Sequence, residues 1–213
     1  MQFKESMLHC YLVGGTQDVN HDPEQFLKSV KLAMDSGITA FQYREKGSSQ
    51  LNQQQRVELG RKLKELAVQH NIPLIVDDDV ELAQAIDANG MHVGQKDQRI
   101  EQVLAAVGKT MFVGYSCNQI NQIKHVNELP VAYVGSGPIF PTNSKNDADP
   151  AMGLPKLHEL VKLSTHPIVA IGGISEANMQ STLETGVAGL SMISMILQSP
   201  DIEKTVTAVN SLY

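Results

Sequence analysis

The chain has 213 residues, of which 42% are hydrophobic and 19% are charged, and its formal net charge is −6 at pH 7. These values are ordinary for a soluble globular protein, and the length predicts one domain over 1–213 that buries its own core. The negative charge disfavours a broad nucleic-acid surface, which needs clustered Lys and Arg, but it permits a small basic pocket for one anionic metabolite.

Cellular location and redox state are predicted from what the sequence lacks. The first ten residues, MQFKESMLHC, contain no apolar core of a secretory signal, and no apolar run approaches the length of a membrane span. Cys10 and Cys117 are far apart and form no CxxC pair, so we predict two reduced thiols. We therefore expect a cytoplasmic protein without nucleic-acid or membrane partners, and the sequence leaves a homo-oligomer open.

Eight short apolar runs, each predicted to be a strand, alternate along the chain with longer segments of helical spacing. The predicted strands are 9–14, 38–43, 73–77, 90–93, 111–115, 131–135, 167–171 and 188–193. The predicted helices are 23–36, 50–70, 79–88, 99–107, 118–128, 155–164, 175–185 and 201–211. Eight successive βα units favour an α/β fold, a single (β/α)8 TIM barrel with eight parallel strands. The alternative is an open doubly wound sheet, which is built from the same units.

Polar and glycine residues follow nearly every predicted strand. In a (β/α)8 barrel the carboxyl ends of all the strands meet at one rim, where the active site lies. Because Gln42, Arg44 and Lys46 are alternate residues, they project to one side of an extended segment and suit a phosphate or diphosphate. The alternative is a solvated loop in which Arg44 pairs with Glu45 or with a helix residue.

Carboxylates follow the third and fourth predicted strands. Oxygen ligands on neighbouring strand ends suit Mg²⁺, which binds through one or two carboxylates and keeps substrate phosphate and water as other ligands. We therefore predict a metal site at Asp78 and Asp97, whereas Asp79 is better placed to cap a helix. The alternative is that Asp78 and Asp97 are simply solvated.

Small and hydroxyl residues after the sixth, seventh and eighth strands form a second candidate phosphate site. The long connection from Pro138 to Gly153 carries the run 141–145 (PTNSK), which by itself is also compatible with an ordinary turn. Gly172-Gly173 precedes a helix predicted to start near Ser175, and backbone N–H groups at a helix start can meet a phosphate. His92, within the fourth strand, is interpreted as a structural residue rather than a catalytic base.

Several of these segments together resemble the thiamine-phosphate synthase family. The similar stretches run in family order from the second strand to the eighth: 42–46 (QYREK), 75–78 (IVDD), 90–97 (GMHVGQKD), 114–116 (GYS), 135–145 (GSGPIFPTNSK), 170–174 (AIGGI) and 192–194 (MIS). They cover nearly the whole chain. The resemblance implies an Mg²⁺-dependent transferase that joins a pyrimidine diphosphate to a thiazole phosphate and releases diphosphate.

The resemblance also implies roles for individual residues. It implies that Gln42, Arg44 and Lys46, together with Ser116 and Lys145, bind the pyrimidine diphosphate. It also implies that Asp78 and Asp97 bind Mg²⁺. Of these, Arg44, Lys46, Ser116 and Lys145 are the candidate catalytic residues. The candidate substrate-binding residues further include Tyr43, Glu45, Asp77 and Asn143, with Thr142, Ser144, Gly173, Ile193 and Ser194 on the thiazole phosphate.

The sequence departs from the family at three positions. The family usually carries Asn where this chain has Asp77, a histidine where it has Asn118, and a threonine where it has Ser144. Two other functions stay open: a thiazole tautomerase that shares the barrel, and a non-catalytic binder of thiamine intermediates. A histidine expected of the tautomerase is missing at Asn118, and the Asp78–Asp97 pair exceeds what a binder needs.

Overall fold

The computed structural model describes residues 1–142, 144 and 150–213. Its eight strands are all parallel and form a closed barrel in the order of the sequence. The first strand pairs with both the second and the eighth, which closes the barrel. The predicted (β/α)8 barrel is therefore confirmed, and the open doubly wound sheet is excluded because such a sheet would leave two strands at its edges.

The strands are short, and helices follow them around the barrel. The strands are β1 (Cys10–Gly14), β2 (Ala40–Tyr43), β3 (Leu74–Asp77), β4 (Gly90–Val93), β5 (Phe112–Ser116), β6 (Tyr133–Ser136), β7 (Ile168–Ile171) and β8 (Gly189–Met192). The α-helices are α1 (Pro23–Asp35), α2 (Gln53–Gln69), α3 (Val80–Ala85), α4 (Ile100–Val107), α5 (Ile120–Val126), α6 (Gly153–Leu163), α7 (Met179–Leu183), α8 (Ser194–Leu197) and α9 (Ile202–Asn210).

Capping side chains explain where several helices begin. Asp79 accepts a hydrogen bond from Leu82 N and starts α3, and Asp201 does the same for Lys204 N at the start of α9. Helix α2 begins three residues later than predicted because Asn52 and Gln55 form a reciprocal capping box. The four-residue helix α8 was not predicted, since its apolar sequence reads as a continuation of β8.

Apolar side chains fill two layers, one inside the barrel and one between the strands and the helices. Phe26 of α1 packs against Phe41 and Tyr43 of β2 in the outer layer, with ring centroids 6.1 and 6.3 Å apart. Phe3 stacks on Tyr133, the first residue of β6, with centroids 5.8 Å apart. Packing in both layers fixes the strands, and it therefore also fixes the positions of their carboxyl ends at one rim of the barrel.

Both cysteines are buried and unpaired, in agreement with the predicted thiols. Burial raises the pKa of each thiol to about 12, so neither Cys10 nor Cys117 is a reactive nucleophile at neutral pH. Within the described part of the chain, no helix combines the length and the apolar character needed to cross a membrane.

Candidate active site

A cavity of about 280 Å³ lies at the carboxyl ends of the strands. Residues that end or follow strands β2 through β8 line it, as expected for a barrel of this type. It brings together most of the predicted site residues: Arg44, Lys46, Asp77, Asp78, Asp97, Ser116, Thr142, Ser144, Gly173, Ile193 and Ser194.

Arg44 is held at the cavity by an ion pair and by its backbone. Its Nε lies 3.2 Å from Asp77 Oδ2, so the partner is a residue of β3 rather than Glu45 or a helix residue. Arg44 N donates to Gly14 O, and Arg44 O accepts from Gln17 Nε2 at 2.7 Å. The two backbone hydrogen bonds hold the segment that carries Arg44, and the ion pair orients its guanidinium through Nε.

Lys46 lies between two carboxylates on neighbouring loops. Its Nζ donates to Asp97 Oδ1 at 2.9 Å and also donates to Asp78. Asp97 is fixed in turn because its Oδ2 accepts from Gly94 N at 3.0 Å. Asp78 has a left-handed backbone, with φ at 59°, and its N–H donates to His92 O.

The pKa values of Lys46 and Asp97 move in directions that keep both groups charged, whereas that of Asp78 moves the other way. Burial lowers the pKa of Lys46, but the hydrogen bonds to Asp78 and Asp97 raise it by more. The net pKa lies above the ordinary value, so the ammonium stays protonated. Burial also raises the pKa of Asp97, and hydrogen bonds with Asp78 and Lys46 bring it below its ordinary value. Asp78 behaves differently, because burial and the negative charge of Asp77 raise its pKa.

The Asp78–Asp97 pair fits a divalent cation. A positive group, the Lys46 ammonium, already occupies the space between the two carboxylates, and buried Asp78 Oδ1 has no hydrogen-bond partner. In the described ranges 1–142, 144 and 150–213, no group of three or more His, Cys, Asp or Glu side chains could hold a metal. Two carboxylates suit Mg²⁺, whose remaining ligands are water and phosphate oxygens.

The ends of β7 and β8 form a separate part of the rim. Gly172 and Gly173 have φ of 96° and 68°, and a β-carbon on Gly173 would lie 2.7 Å from Pro141 O. Ser144 Oγ donates to Ser194 Oγ at 3.1 Å, which joins the long connection to the start of α8. Glycine is therefore required at position 173, where the chain passes close under Phe140 and Pro141.

The helix predicted near Ser175 begins later, so that prediction is corrected. Helix α7 starts at Met179, because Asn178 first closes a turn: its Oδ1 accepts from Ser175 N and its Nδ2 donates to Gly173 O. The Gly172-Gly173 segment thus reaches the cavity as a turn rather than as a helix N-terminus.

Comparisons with known proteins agree with this geometry. The family model described as thiamine monophosphate synthase matches residues 10–196. The chain belongs to the thiamine monophosphate synthase family. Thiamine-phosphate synthase of Limosilactobacillus fermentum is 56% identical over the whole of both chains, and that of Limosilactobacillus reuteri is 55% identical over the whole of both. The structure of thiamine phosphate pyrophosphorylase from Pyrococcus furiosus superposes with a TM-score of 0.85 at 28% identity, covering 98% of this chain and 96% of that one.

Membership of the thiamine monophosphate synthase family makes the chain an enzyme, a transferase of thiamine biosynthesis.

Three residues that the resemblance assigned to substrate do not line the cavity. Gln42 points into the barrel interior and donates to Tyr11 Oη at 2.8 Å. Tyr43 lies on the outer face of β2, since side chains alternate along a strand, and Glu45 accepts from both Thr16 N and Thr16 Oγ1. Asn143 and Lys145 lie outside the described residues.

Other cavity residues were not predicted as members of this family's site. His92 lines the cavity, and its Nε2 lies 2.9 Å from Ser116 Oγ. Gln95, Asn118 and Ser191 also line it. The alternation of side chains along β4 predicts that His92 faces the barrel interior. Met91 and Val93 on either side of it are fully buried and face the helices.

Proposed function

We propose that this transferase joins 4-amino-5-hydroxymethyl-2-methylpyrimidine diphosphate to 4-methyl-5-(2-phosphoethyl)thiazole, with Mg²⁺, and forms thiamine phosphate and diphosphate. One observation carries the proposal: Lys46 lies between Asp78 and Asp97 in the same cavity as Arg44. Cationic side chains and a pair of carboxylates at one site are what a metal-bound diphosphate requires.

In this proposal the diphosphate binds at the ends of β2 to β4. Arg44 and Lys46 neutralise its charge, and Lys145 is proposed to join them. Asp78 and Asp97 would hold Mg²⁺, which when bound neutralises part of the charge of the leaving diphosphate. Asp77 keeps Arg44 in place through their ion pair, and its carboxylate is an acceptor for the amino group of the pyrimidine.

The reaction breaks the bond between the methylene carbon and the diphosphate oxygen, and the electron pair leaves with the diphosphate. The electron-rich aminopyrimidine supports the positive charge at the methylene carbon, and the thiazole nitrogen then supplies the pair for the new carbon–nitrogen bond. Because Arg44 and Lys46 are fixed beforehand, they stabilise the negative charge as it develops. No protein nucleophile takes part, so positioning of the two substrates supplies much of the rate.

The thiazole phosphate is proposed to bind at the ends of β6 to β8. Thr142 and Ser144 offer hydroxyl groups, and Ser194 receives a hydrogen bond from Ser144 in the same region. Gly173 and Ile193 line the same part of the cavity, Ile193 contributes apolar surface, and Asn143 lies in the same sequence segment as Thr142 and Ser144. In this proposal the two phosphate groups bind at different parts of the rim, and the thiazole nitrogen faces the pyrimidine.

Incubation of the purified protein with both substrates and Mg²⁺ tests the proposal. We expect thiamine phosphate, detected by chromatography, and an equal amount of diphosphate, detected by ³¹P NMR. A parallel reaction with excess EDTA should form neither product. Binding of both substrates with no product, or conversion of the thiazole isomer alone, would contradict it.

One contact disfavours the thiazole tautomerase. Asn118 stands where that enzyme is expected to carry a histidine, and its Oδ1 accepts a hydrogen bond from Gly137 N at 2.9 Å. This side chain therefore supports the β6 connection, and it has no basic nitrogen with which to move a proton of the thiazole.

A further inference from the structure

A buried row of hydrogen-bonding side chains crosses the barrel from β2 to β5. Gln42 Nε2 donates to Tyr11 Oη at 2.8 Å, and Tyr11 Oη lies 2.8 Å from Tyr133 Oη. Tyr133 Oη lies 3.1 Å from His92 Nδ1, and His92 Nε2 lies 2.9 Å from Ser116 Oγ. The row ends at the cavity, because both His92 and Ser116 line it.

Either hydroxyl could be the donor in the Tyr11–Tyr133 contact, and the roles of the His92 nitrogens depend on the tautomer. One assignment gives every group of the row a partner, and in it the donors run in one direction. Gln42 donates to Tyr11, so the single proton of Tyr11 is available to Tyr133. The proton of Tyr133 is then directed to His92 Nδ1, which must be the acceptor nitrogen of the imidazole. The other nitrogen, Nε2, carries the hydrogen and donates it to Ser116 Oγ. The hydroxyl proton of Ser116 is thereby left to point into the cavity.

Two glycines make the space for this row. A β-carbon on Gly114 would overlap Tyr133 Cζ, and one on Gly135 would lie 2.9 Å from His92 Cε1. Any other residue at either position would displace a ring of the row. The two strands β5 and β6 thus lack side chains where the rings of Tyr133 and His92 pass.

The tyrosines keep their protons, as this direction requires. Tyr11 and Tyr133 are at most 1% exposed, and burial raises the pKa of both hydroxyls above the ordinary value of 10. Each hydroxyl therefore keeps its proton at neutral pH and has one hydrogen bond to donate.

We propose that His92 is a positioning residue: the row Gln42–Tyr11–Tyr133 holds it as the Nε2–H tautomer, and it fixes Ser116 as a hydrogen-bond donor toward the ligand. The ligand atom at Ser116 is then an acceptor, either a ring nitrogen or a phosphoryl oxygen of the pyrimidine diphosphate. The identity of this ligand rests on the proposed function, whereas the state of His92 does not.

The first test measures the tautomer directly. The protein is labelled with ¹⁵N-histidine, and the signal of His92 is identified among those of the seven histidines by its loss in His92→Gln. We expect the ¹⁵N shifts of a neutral ring with the proton on Nε2. The Nδ1–H tautomer, a mixture of the two or an imidazolium would overturn the proposal, whether or not the protein forms thiamine phosphate.

The second test removes one link of the row. Tyr133→Phe should release His92 to a mixture of tautomers and lower kcat/KM for the pyrimidine diphosphate about tenfold, the size of one lost hydrogen bond. The KM for the thiazole phosphate should not change. Tyr213→Phe is the matched control, because the Tyr213 hydroxyl donates to His9 O and Tyr213 does not line the cavity, and it should change neither quantity.

The outcomes separate the proposal from the proposed function. A merely structural role for Tyr133 would lower the melting temperature and impair both substrates equally, with His92 still in one tautomer. That result would overturn the positioning role. If the protein forms no thiamine phosphate but His92 holds the Nε2–H tautomer, the proposed function fails and the positioning of Ser116 stands.

Discussion

Arg44 Nε lies 3.2 Å from Asp77 Oδ2, and both side chains are at most 10% exposed. The family resemblance implies Asn at the position of Asp77, so this chain has a carboxylate where a neutral amide is expected, and the carboxylate pairs with the proposed anion-binding group. The carboxylate holds Arg44 in place, but it also offsets the positive charge that a diphosphate would meet.

Asp77→Asn should therefore strengthen the binding of inorganic diphosphate. The carboxylate repels the anion, and two unit charges 4 Å apart in water interact by about 1 kcal/mol, so we expect binding about fivefold tighter by calorimetry in Mg²⁺-free buffer. Asp79→Asn is the control, since Asp79 does not line the cavity and Asn also caps helices. Unchanged or weaker binding in Asp77→Asn, with the control unchanged, would show that the Asp77 carboxylate does not reduce the affinity for diphosphate.

Asp97→Asn should reduce Mg²⁺-dependent turnover by at least about a hundredfold, because a bound metal supplies several kcal/mol of charge stabilisation. The amide oxygen can still accept from Gly94 N, so the melting temperature should stay close to that of the parent protein. Initial rates over a range of Mg²⁺ concentrations measure the effect, with Asp87→Asn as a control far from the cavity lining. A parent-like Mg²⁺ dependence would remove Asp97 from the metal site.

Gly135→Ala should impair turnover through His92. The added methyl group would lie 2.9 Å from Cε1 and 3.3 Å from Nε2 of the imidazole, so the ring must move away from Ser116. We expect kcat/KM about tenfold lower, the size of one lost hydrogen bond. Gly60→Ala in α2 is the control, because its methyl group meets only flexible side-chain atoms of Ile86 at 3.1 Å and side-chain atoms of Tyr43. Equal losses in both variants would point to general destabilisation.

His70 should titrate above its ordinary pKa of 6.5. The hydrogen bond to Leu66 O and the contact with Asp35, 2.7 Å from Nε2, both raise its pKa. Because the folded-state pKa exceeds the unfolded one, the stabilisation is complete below the unfolded pKa and is lost as the pH rises through the folded pKa. NMR titration of the ring protons measures it.

Asp35→Asn should lower the pKa of His70 without returning it to 6.5, since the Leu66 carbonyl still contacts Nδ1. Lys31→Gln is the control: it removes a neighbouring positive charge that lowers the pKa of His70, so the pKa should not fall. A pKa at or below 6.5 in the parent protein would contradict the pairing.

Alternation and strand order explain why most of the site was predictable. All eight strands end at the same rim, so Arg44, Asp78 and Ser116 could be assigned to one cavity from their positions at or after strand ends. Alternation also fixes which face a residue takes, but not its depth along the barrel. Gln42 shares the inward face with Arg44 and yet lies below the cavity, bound to Tyr11.

Contacts between elements distant in sequence were not predictable. The partner of Arg44 depends on how the end of β2 meets that of β3. The row from Gln42 to Ser116 requires side chains of five strands to meet at the barrel axis. Such pairings follow from register and packing, which a single sequence does not contain.

The left-handed backbone of Asp78 restricts which residues can stand there. At φ of 59°, glycine, asparagine and aspartate are tolerated, and aspartate alone among them carries a negative charge. Glutamate would keep the charge but would strain the chain. Backbone geometry and chemistry therefore select the same residue, so a saturation library at this position should separate into folded variants that lack the carboxylate and charged ones that fold poorly.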